Sequence, residues 1–381
     1  PGTDTAFKEG AIEVVRFSSL LDPAAAPVID ISPATIVATA LGTYDTTGYP
    51  VNPVTGEPYE PVLVNEADFA RAVAEFWADG PDSETPPGHW NTLANGVSDA
   101  LEPDLRIGGT GEAVDRLEWD VKLYLMLGGA MHDCAITAWG VKGWYDYVRP
   151  ISAIRYMAAQ GQSSDPSQAN YSPAGIRLID GLIEVVERDD PLSGLGYRNE
   201  GKIKLFGWLG PDFINDPETE IAGTGWMLAE NWWPYQRPTF VTPPFAGYVS
   251  GHSTYSRAAA EVLTLLTGDA FFPGGMGEFQ APKNEFLVFE DGPSVDVTLQ
   301  WATYRDASDQ TSLSRIWGGI HPPADDIPGR LIGEKIGPAA FHLAETYFEG
   351  CRKRFRDGPQ VSRTRPCGVA FGRDGRKDRR H

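Results

Sequence analysis

Seven residues have side chains or main-chain groups suited to holding a tetrahedral anion: Lys142, Arg149, Ser250, Gly251, His252, Arg315 and His321. Lys142 and Arg149 stand seven apart at the end of a helical stretch, so both reach one side of it. Ser250-Gly251-His252 marks the point where the extended, Pro/Gly-rich "VTPPFAGYVS" gives way to apolar residues at helical spacing, Ala258, Val262 and Leu265. A helix that starts directly after Ser-Gly points its free N–H groups at whatever sits over Gly251, which makes a natural anion seat. Glycine lets the main chain come close, Ser250 adds a hydroxyl, and His252 can donate, accept or move a proton. Arg315 and His321 are six apart across "SRIWGGIH", where Gly318-Gly319 lets the chain turn. Cations, a helix N-terminus and two imidazoles together make an oxyanion site. Each residue alone also has a structural explanation. Ser250 caps a helix beside a solvated His252, Lys142 and Arg149 are solvated or pair with Asp146, Arg315 pairs with a carboxylate, and His321 caps "HPPADD".

The elements that must position these groups are mainly helical. Phe69, Val73, Phe76 and Trp77 form one apolar face, and the loop "WADGPDSETPPGHW" after it carries Asp79, Glu84 and His89. Residues 112–148 read as one long helix or two joined ones, with Leu117, Val121 and Leu125 along a face and a break or close packing at Gly128-Gly129. Pro150 closes it. Ser172-Pro173 reads as a helix start, with Ile176, Ile179, Ile183 and Val186 as its face. "FLVFEDGPSVDV", with Asp291-Gly292 near its turn, is the best hairpin candidate. Helices are expected around 298–307 and 329–348. Residues 1–60 read as an irregular N-terminal arm, 61–350 as a helical catalytic domain and 351–381 as a basic tail. No internal repeat is visible.

Composition limits the partners. The chain of 381 residues carries a net charge of −20, with 41% hydrophobic and 22% charged residues, so a packed core is expected. The tail from 351 holds 11 Lys/Arg against 3 Asp/Glu, which leaves 21 against 49 before it. Such an acidic body argues against nucleic acid as the main partner. No run approaches the roughly 20 apolar residues of a membrane span. The chain starts at Pro1 without a Met, as a processed or truncated form does, and secretion or a periplasmic location is the expectation. Cys134 lies in an apolar helical stretch, and Cys351 and Cys367 are candidates for a disulfide in an oxidising compartment. No spacing suggests zinc.

The blocks Lys142…Arg149-Pro150, Ser250-Gly251-His252 and Ser314-Arg315…His321…Asp325 resemble the superfamily shared by vanadium-dependent haloperoxidases and type 2 phosphatidic acid phosphatases. Val249 departs from the Pro usual before Ser-Gly-His. Trp139 and Phe245 match halide-pocket aromatics of the fungal chloroperoxidase type, and "FWADGPDSETPPGHWN" looks like the segment whose Asp, here Asp79, pairs with the second site arginine, here Arg315. The resemblance covers roughly residues 65–348 and implies an all-α fold of two packed four-helix-type bundles, with a minor β-hairpin from the sequence pattern.

It further implies vanadate as cofactor, with phosphate able to take the same seat. His321 would bond vanadium; Lys142, Arg149, Ser250, Gly251 and Arg315 would hold the oxygens; His252 would be the acid–base; Asp325 would support His321. Hydrogen peroxide and a halide (bromide, iodide, at the limit chloride) would be the substrates, with a small organic acceptor and a homo-oligomeric state also implied. Algal bromoperoxidases carry His at the position of Phe245, which tilts the expectation toward chloride. The competing readings are a phosphatase, with His321 as nucleophile and His252 protonating the leaving group, and a non-catalytic oxyanion binder.

Overall fold

A computed structural model describes residues 4–35, 48–80 and 83–356, with side chains to 348. The elements in order are α1 (Asp4–Ser18), β1 (Val28–Asp30), β2 (Leu63–Asn65), α2 (Glu66–Phe76), α3 (Pro86–Leu101), α4 (Arg116–Tyr145), α5 (Pro150–Gln160), β3 (Ile183–Val185), β4 (Ile203–Trp208), β5 (Thr224–Leu228), α6 (Gly251–Thr267), β6 (Gly277–Ala281), β7 (Val297–Trp301), α7 (Tyr304–Trp317) and α8 (Pro323–Arg356). Residues Pro1–Ala344 form one compact unit. Glu345–His381 form a second, whose described part is the helical end of α8.

The first unit is built around α6, which packs against α4, α7 and α3. Ala258, Ala259, Ala260, Val262 and Leu263 of α6 are fully buried. α8 lies along α6 through Gly329, Gly333 and Gly337. A Cβ on Gly333 would stand 2.4 Å from the Thr254 carbonyl oxygen, and one on Gly337 2.5 Å from that of Ala258. Glycine at every fourth position is what allows this backbone approach. Large buried tryptophans fill the rest of the core and find polar partners: Trp77 and Trp301 both donate to Gln310 Oε1, and Trp90 to Ser256 Oγ.

The chain is mostly helical with minor β content, in three small antiparallel sheets, β1–β2, β3–β4–β5 and β6–β7. Several local expectations are corrected. The first 60 residues are not wholly irregular, because α1 buries Ala11, Ile12, Val14 and Val15 on one face. α4 runs unbroken through Gly128-Gly129, and Leu117, Val121 and Leu125 face outward while Trp119, Leu123, Met126 and Leu127 enter the core. Residues 172–186 are not a helix: Gly181 sits at φ 72° in a tight turn between Ile179 and Ile183, and β3 pairs with β4.

Residues 286–296 are not the hairpin. The Val288 and Phe289 N–H groups donate to the Glu75 carboxylate, not to a neighbouring strand, and buried Glu290 takes Arg71, the Trp208 indole and the Ala222 N–H. The hairpin lies on either side, in β6 and β7, so 298–301 is strand and the helix starts at Tyr304. Cys134 is buried, as expected. Cys351 and Cys367 lie outside the residues whose side chains are described. Among the described residues no helix is long and apolar enough to cross a membrane.

Candidate active site

Lys142 and Arg149 come together where one helix ends and the next begins. Asp146, in the left-handed conformation, ends α4 with its N–H on the Lys142 carbonyl, and Arg149 stands at the N-cap of α5 ahead of Pro150. Both side chains turn onto the strap 245–247. Lys142 Nζ donates to the carbonyls of Ala246 and Gly247 at 2.8 Å each. Arg149 donates through Nε to Phe245 O (3.0 Å) and through Nη2 to Ala246 O (3.3 Å). Its Nη1 donates to Ile320 O (3.1 Å) and to His321 Nε2 (2.9 Å).

Ser250 caps α6, with its Oγ accepting from Ser253 N. The Tyr248–Val249 peptide before it is cis. Ser250 N donates to the Asp325 carbonyl (2.8 Å), which ties the start of α6 to the start of α8. Arg315, in the last turn of α7, donates through Nη2 to Ala74 O at the end of α2 (2.6 Å) and through Nε to Ser314 Oγ (3.0 Å).

Lys142, Arg149 and Arg315 are only 2%, 6% and 1% exposed, and among the described residues none forms an ion pair within 4.0 Å. Buried cations with no carboxylate in direct contact are costly, and Asp325 and Asp79 attract them only from beyond ion-pair distance, so this arrangement suits an incoming anion. Burial, with Arg149 adding repulsion and Asp325 opposing, pushes Lys142 down to about 7. Burial likewise pushes Arg149 and Arg315 down to about 10 each, against the attraction of Asp325 and Asp79 respectively.

The two imidazoles are set by carboxylates. Asp325 Oδ2 lies 2.7 Å from His321 Nδ1. A guanidinium can only donate, so His321 Nε2 must be the accepting nitrogen and Nδ1 must carry the proton. Burial, then the charges of Arg149, Lys142, His252 and Arg315, hold His321 well below the usual histidine range. Burial also lifts Asp325 to about 7, opposed by Arg149 and Lys142; its Oδ1 has no hydrogen bond among the described residues. His252 is lowered by burial and by Arg315, with Asp79 opposing.

Trp139 and Phe245 meet with ring centroids 5.2 Å apart, and Lys142 Nζ lies 5.8 and 5.3 Å from their centres. The Trp139 edge is so close to Gly251 that a Cβ there would stand 3.2 Å from it. At 43% and 41% exposure the two rings wall the mouth of the site, not its floor.

The structure therefore brings together Lys142, Arg149, Ser250, Gly251, His252, Arg315 and His321, with Asp325 behind His321 and Trp139 and Phe245 at the mouth. One expected pairing fails. Asp79 does not pair with Arg315 within 4.0 Å. Its Oδ1 is 2.8 Å from His89 Nδ1, and its Oδ2 is 3.3 Å from His252 Nε2, without the angle of a hydrogen bond. Ala74 O takes the Arg315 donor instead. The sequence places His89 only in a loop with no role at the site, whereas it lies in the first turn of α3, and the carbonyls of 245–247 were missed from the sequence. "TPPGHW" carried a usable signal, since Thr85 caps α3 with Pro86 and Pro87 in its first turn, which fixes where His89 points.

The donor set fits an oxyanion: cations, a hydroxyl and a helix N-terminus gathered near one neutral imidazole nitrogen. Among the described residues no group of three His, Cys, Asp or Glu is placed to hold a metal ion directly.

A family model described as the VCPO second helical-bundle domain matches residues 122–171 and 197–350, more than half of the chain. The search of curated proteins finds no match. Among solved structures, the fold is similar to a holo-type bacterial vanadium-dependent chloroperoxidase (TM-score 0.54, 15% identity, 91% of this chain and 49% of that one). It is similar also to an apo-type bacterial vanadium-dependent chloroperoxidase (TM-score 0.54, 16% identity, 91% and 50%). A bacterial vanadium-dependent iodoperoxidase aligns over 72% of this chain and 43% of that one, with TM-score 0.41 and 20% identity. The chain spans about half the length of the chloroperoxidase structures it matches.

Proposed function

Because the chain belongs to the vanadium-dependent haloperoxidase family, we propose that it binds vanadate among Lys142, Arg149, Arg315 and His321 and oxidises halide with hydrogen peroxide. The observation that carries this reading is the group of buried cations lacking carboxylate partners around the unprotonated Nε2 of His321, which accepts from Arg149. His321 Nε2 would be the protein ligand, and Lys142, Arg149, Arg315, the Ser250 hydroxyl and the Gly251 N–H would hold the oxygens. Bound vanadate supplies a Lewis acid that activates hydrogen peroxide toward halide without a change of metal oxidation state.

The chain's own residues set the conditions. Asp325 holds the His321 proton on Nδ1 and leaves Nε2 unprotonated, where it accepts from Arg149 until a ligand takes that place. His252, whose pKa burial lowers, is the residue that would take up a proton from peroxide and give one back as the acid–base. Trp139 and Phe245 lower the local polarity beside Lys142, which strengthens its field on the reacting oxygens. On that ground bromide and iodide are the proposed substrates, and chloride, the hardest of the three to oxidise, is the extension the aromatic wall favours.

The test is the purified protein with orthovanadate, peroxide and a halogen-accepting dione, run with each halide separately near pH 6. Turnover with bromide and iodide that disappears in His321→Ala supports the reading. Bromide turnover without chloride turnover removes only the chloride extension. No halide turnover, with phosphate-ester hydrolysis by the vanadate-free protein, transfers the site to phosphoryl chemistry.

A further inference from the structure

Asp79 is a buried carboxylate shared by two imidazoles, and only one of them has a place in the reaction. On its Oδ2 side stands His252 Nε2, at 3.3 Å; on its Oδ1 side stands His89 Nδ1, at 2.8 Å. His89 is firmly seated. Its ring stacks on Trp77 at 4.6 Å and 28°, and Phe76 meets it edge-on at 4.7 Å. Trp77 is itself pinned by its indole N–H on Gln310 of α7. Asp79 has less of its own to hold it: it lies just beyond α2 with φ at 53°, a left-handed conformation that aspartate adopts less readily than glycine. The bond from His89 is the only well-formed hydrogen bond the Asp79 carboxylate makes among the described residues.

We propose that His89 is a positioning residue for His252, acting through Asp79: it orients the carboxylate whose other oxygen keeps the His252 proton on Nε2 and leaves Nδ1 as the free base. An ionised carboxylate only accepts, so His89 Nδ1 must carry a proton, and the charge of Oδ2 at 3.3 Å favours a proton on His252 Nε2, although that contact lacks the angle of a hydrogen bond. Burial alone would raise Asp79, but the contacts with His252 and His89 outweigh it and keep the group ionised. The same logic, one carboxylate choosing the tautomer, is visible at His321 and Asp325 on the other side of the site. Arg315 and His321 also face His252, but neither offers it a carboxylate oxygen.

The inference rests on the haloperoxidase reading only for its consequence in turnover; the tautomer is a property of the protein without vanadate or halide. The experiment is therefore ring-nitrogen NMR of histidine-labelled, ligand-free protein, with His252 assigned by its loss in His252→Ala. Wild type should show His252 protonated on Nε2. His89→Phe, which keeps an aromatic ring between Phe76 and Trp77, should lose that preference, and His89→Asn, which returns a donor near the Nδ1 position, should restore it. In the vanadate-loaded enzyme kcat should fall about tenfold in His89→Phe and recover in His89→Asn, with halide KM unchanged. A wild-type tautomer in folded His89→Phe, or no recovery in His89→Asn, overturns the proposal. Should His89→Phe fail to fold, Asp79→Ala tests the same link by removing the acceptor altogether: His252 should lose its preference for a proton on Nε2, and an unchanged preference overturns the proposal. Wild type without halide turnover would strike the haloperoxidase reading and leave the tautomer result to decide on His89.

Discussion

Replacing Arg315 by methionine should make the ligand-free protein more stable and the oxyanion-loaded protein less so. Arg315 is 1% exposed and has no carboxylate within 4.0 Å among the described residues. Its guanidinium is pushed down from 12.5 to about 10, chiefly by burial. For a base with a depressed folded pKa the charged form is penalised at every pH below that value, by about 1.4 kcal/mol per unit, or roughly 3 kcal/mol here. Against this, methionine leaves the Ala74 carbonyl at the end of α2 without its side-chain donor, a loss of about 2 kcal/mol. The difference favours Arg315→Met by about 1 kcal/mol in anion-free buffer.

With ligand the order reverses. A charge-assisted hydrogen bond to the anion contributes about 1.5–3 kcal/mol, so the variant should bind roughly 10- to 100-fold more weakly. At a vanadate concentration 100-fold above the wild-type Kd, wild type gains about 2.7 kcal/mol and a variant weakened 100-fold only about 0.4. Thermal melts with and without orthovanadate, in phosphate-free buffer, read both halves. If Arg315→Met is destabilised without anion, as for removal of one member of a buried ion pair, Arg315 has a counter-charge and the argument from unpaired cations fails.

Further outcomes follow from the same physics. Sulfate keeps its charge through neutral and alkaline pH, and a bound anion raises the Lys142 pKa above its ligand-free value near 7, so affinity is full below pH 7 and should fall up to tenfold per unit above it; titration calorimetry giving a flat profile between pH 6 and 9 would contradict the burial of that charge. Arg71→Ala leaves Asp68 and Glu290 buried and unpaired and should cost about 3–5 kcal/mol in urea unfolding. Gly333→Ala sets a methyl against the Thr254 carbonyl and should cost about 1–3 kcal/mol, whereas a neutral result would mean α8 does not lie on the backbone of α6.

What could be read from the sequence is what short-range geometry decides. Lys142 and Arg149 flank one helix end ahead of Pro150, Ser250 to His252 are joined by a helix start, and His321 and Asp325 by a single turn, so spacing along the chain already implies proximity in space. The same holds for α2, α4 and the general helical character. The tertiary structure decided everything that depends on which distant group arrives first. Asp79 lies in a loop, where spacing sets no direction, and it meets two histidines because α3 and α6 bring them closer than Arg315, whose donor is taken by Ala74. Alternating apolar residues at 286–296 looked like a hairpin until Glu75 and Arg71 claimed their N–H groups and the Glu290 carboxylate. The isoleucines of 176–183 have helical spacing, but Gly181 turns the chain and β4 supplies hydrogen bonds that a helix would have made internally. Periodicity shows which residues are apolar, while burial and unsatisfied polar groups, known only once the chain has closed on itself, choose the partners.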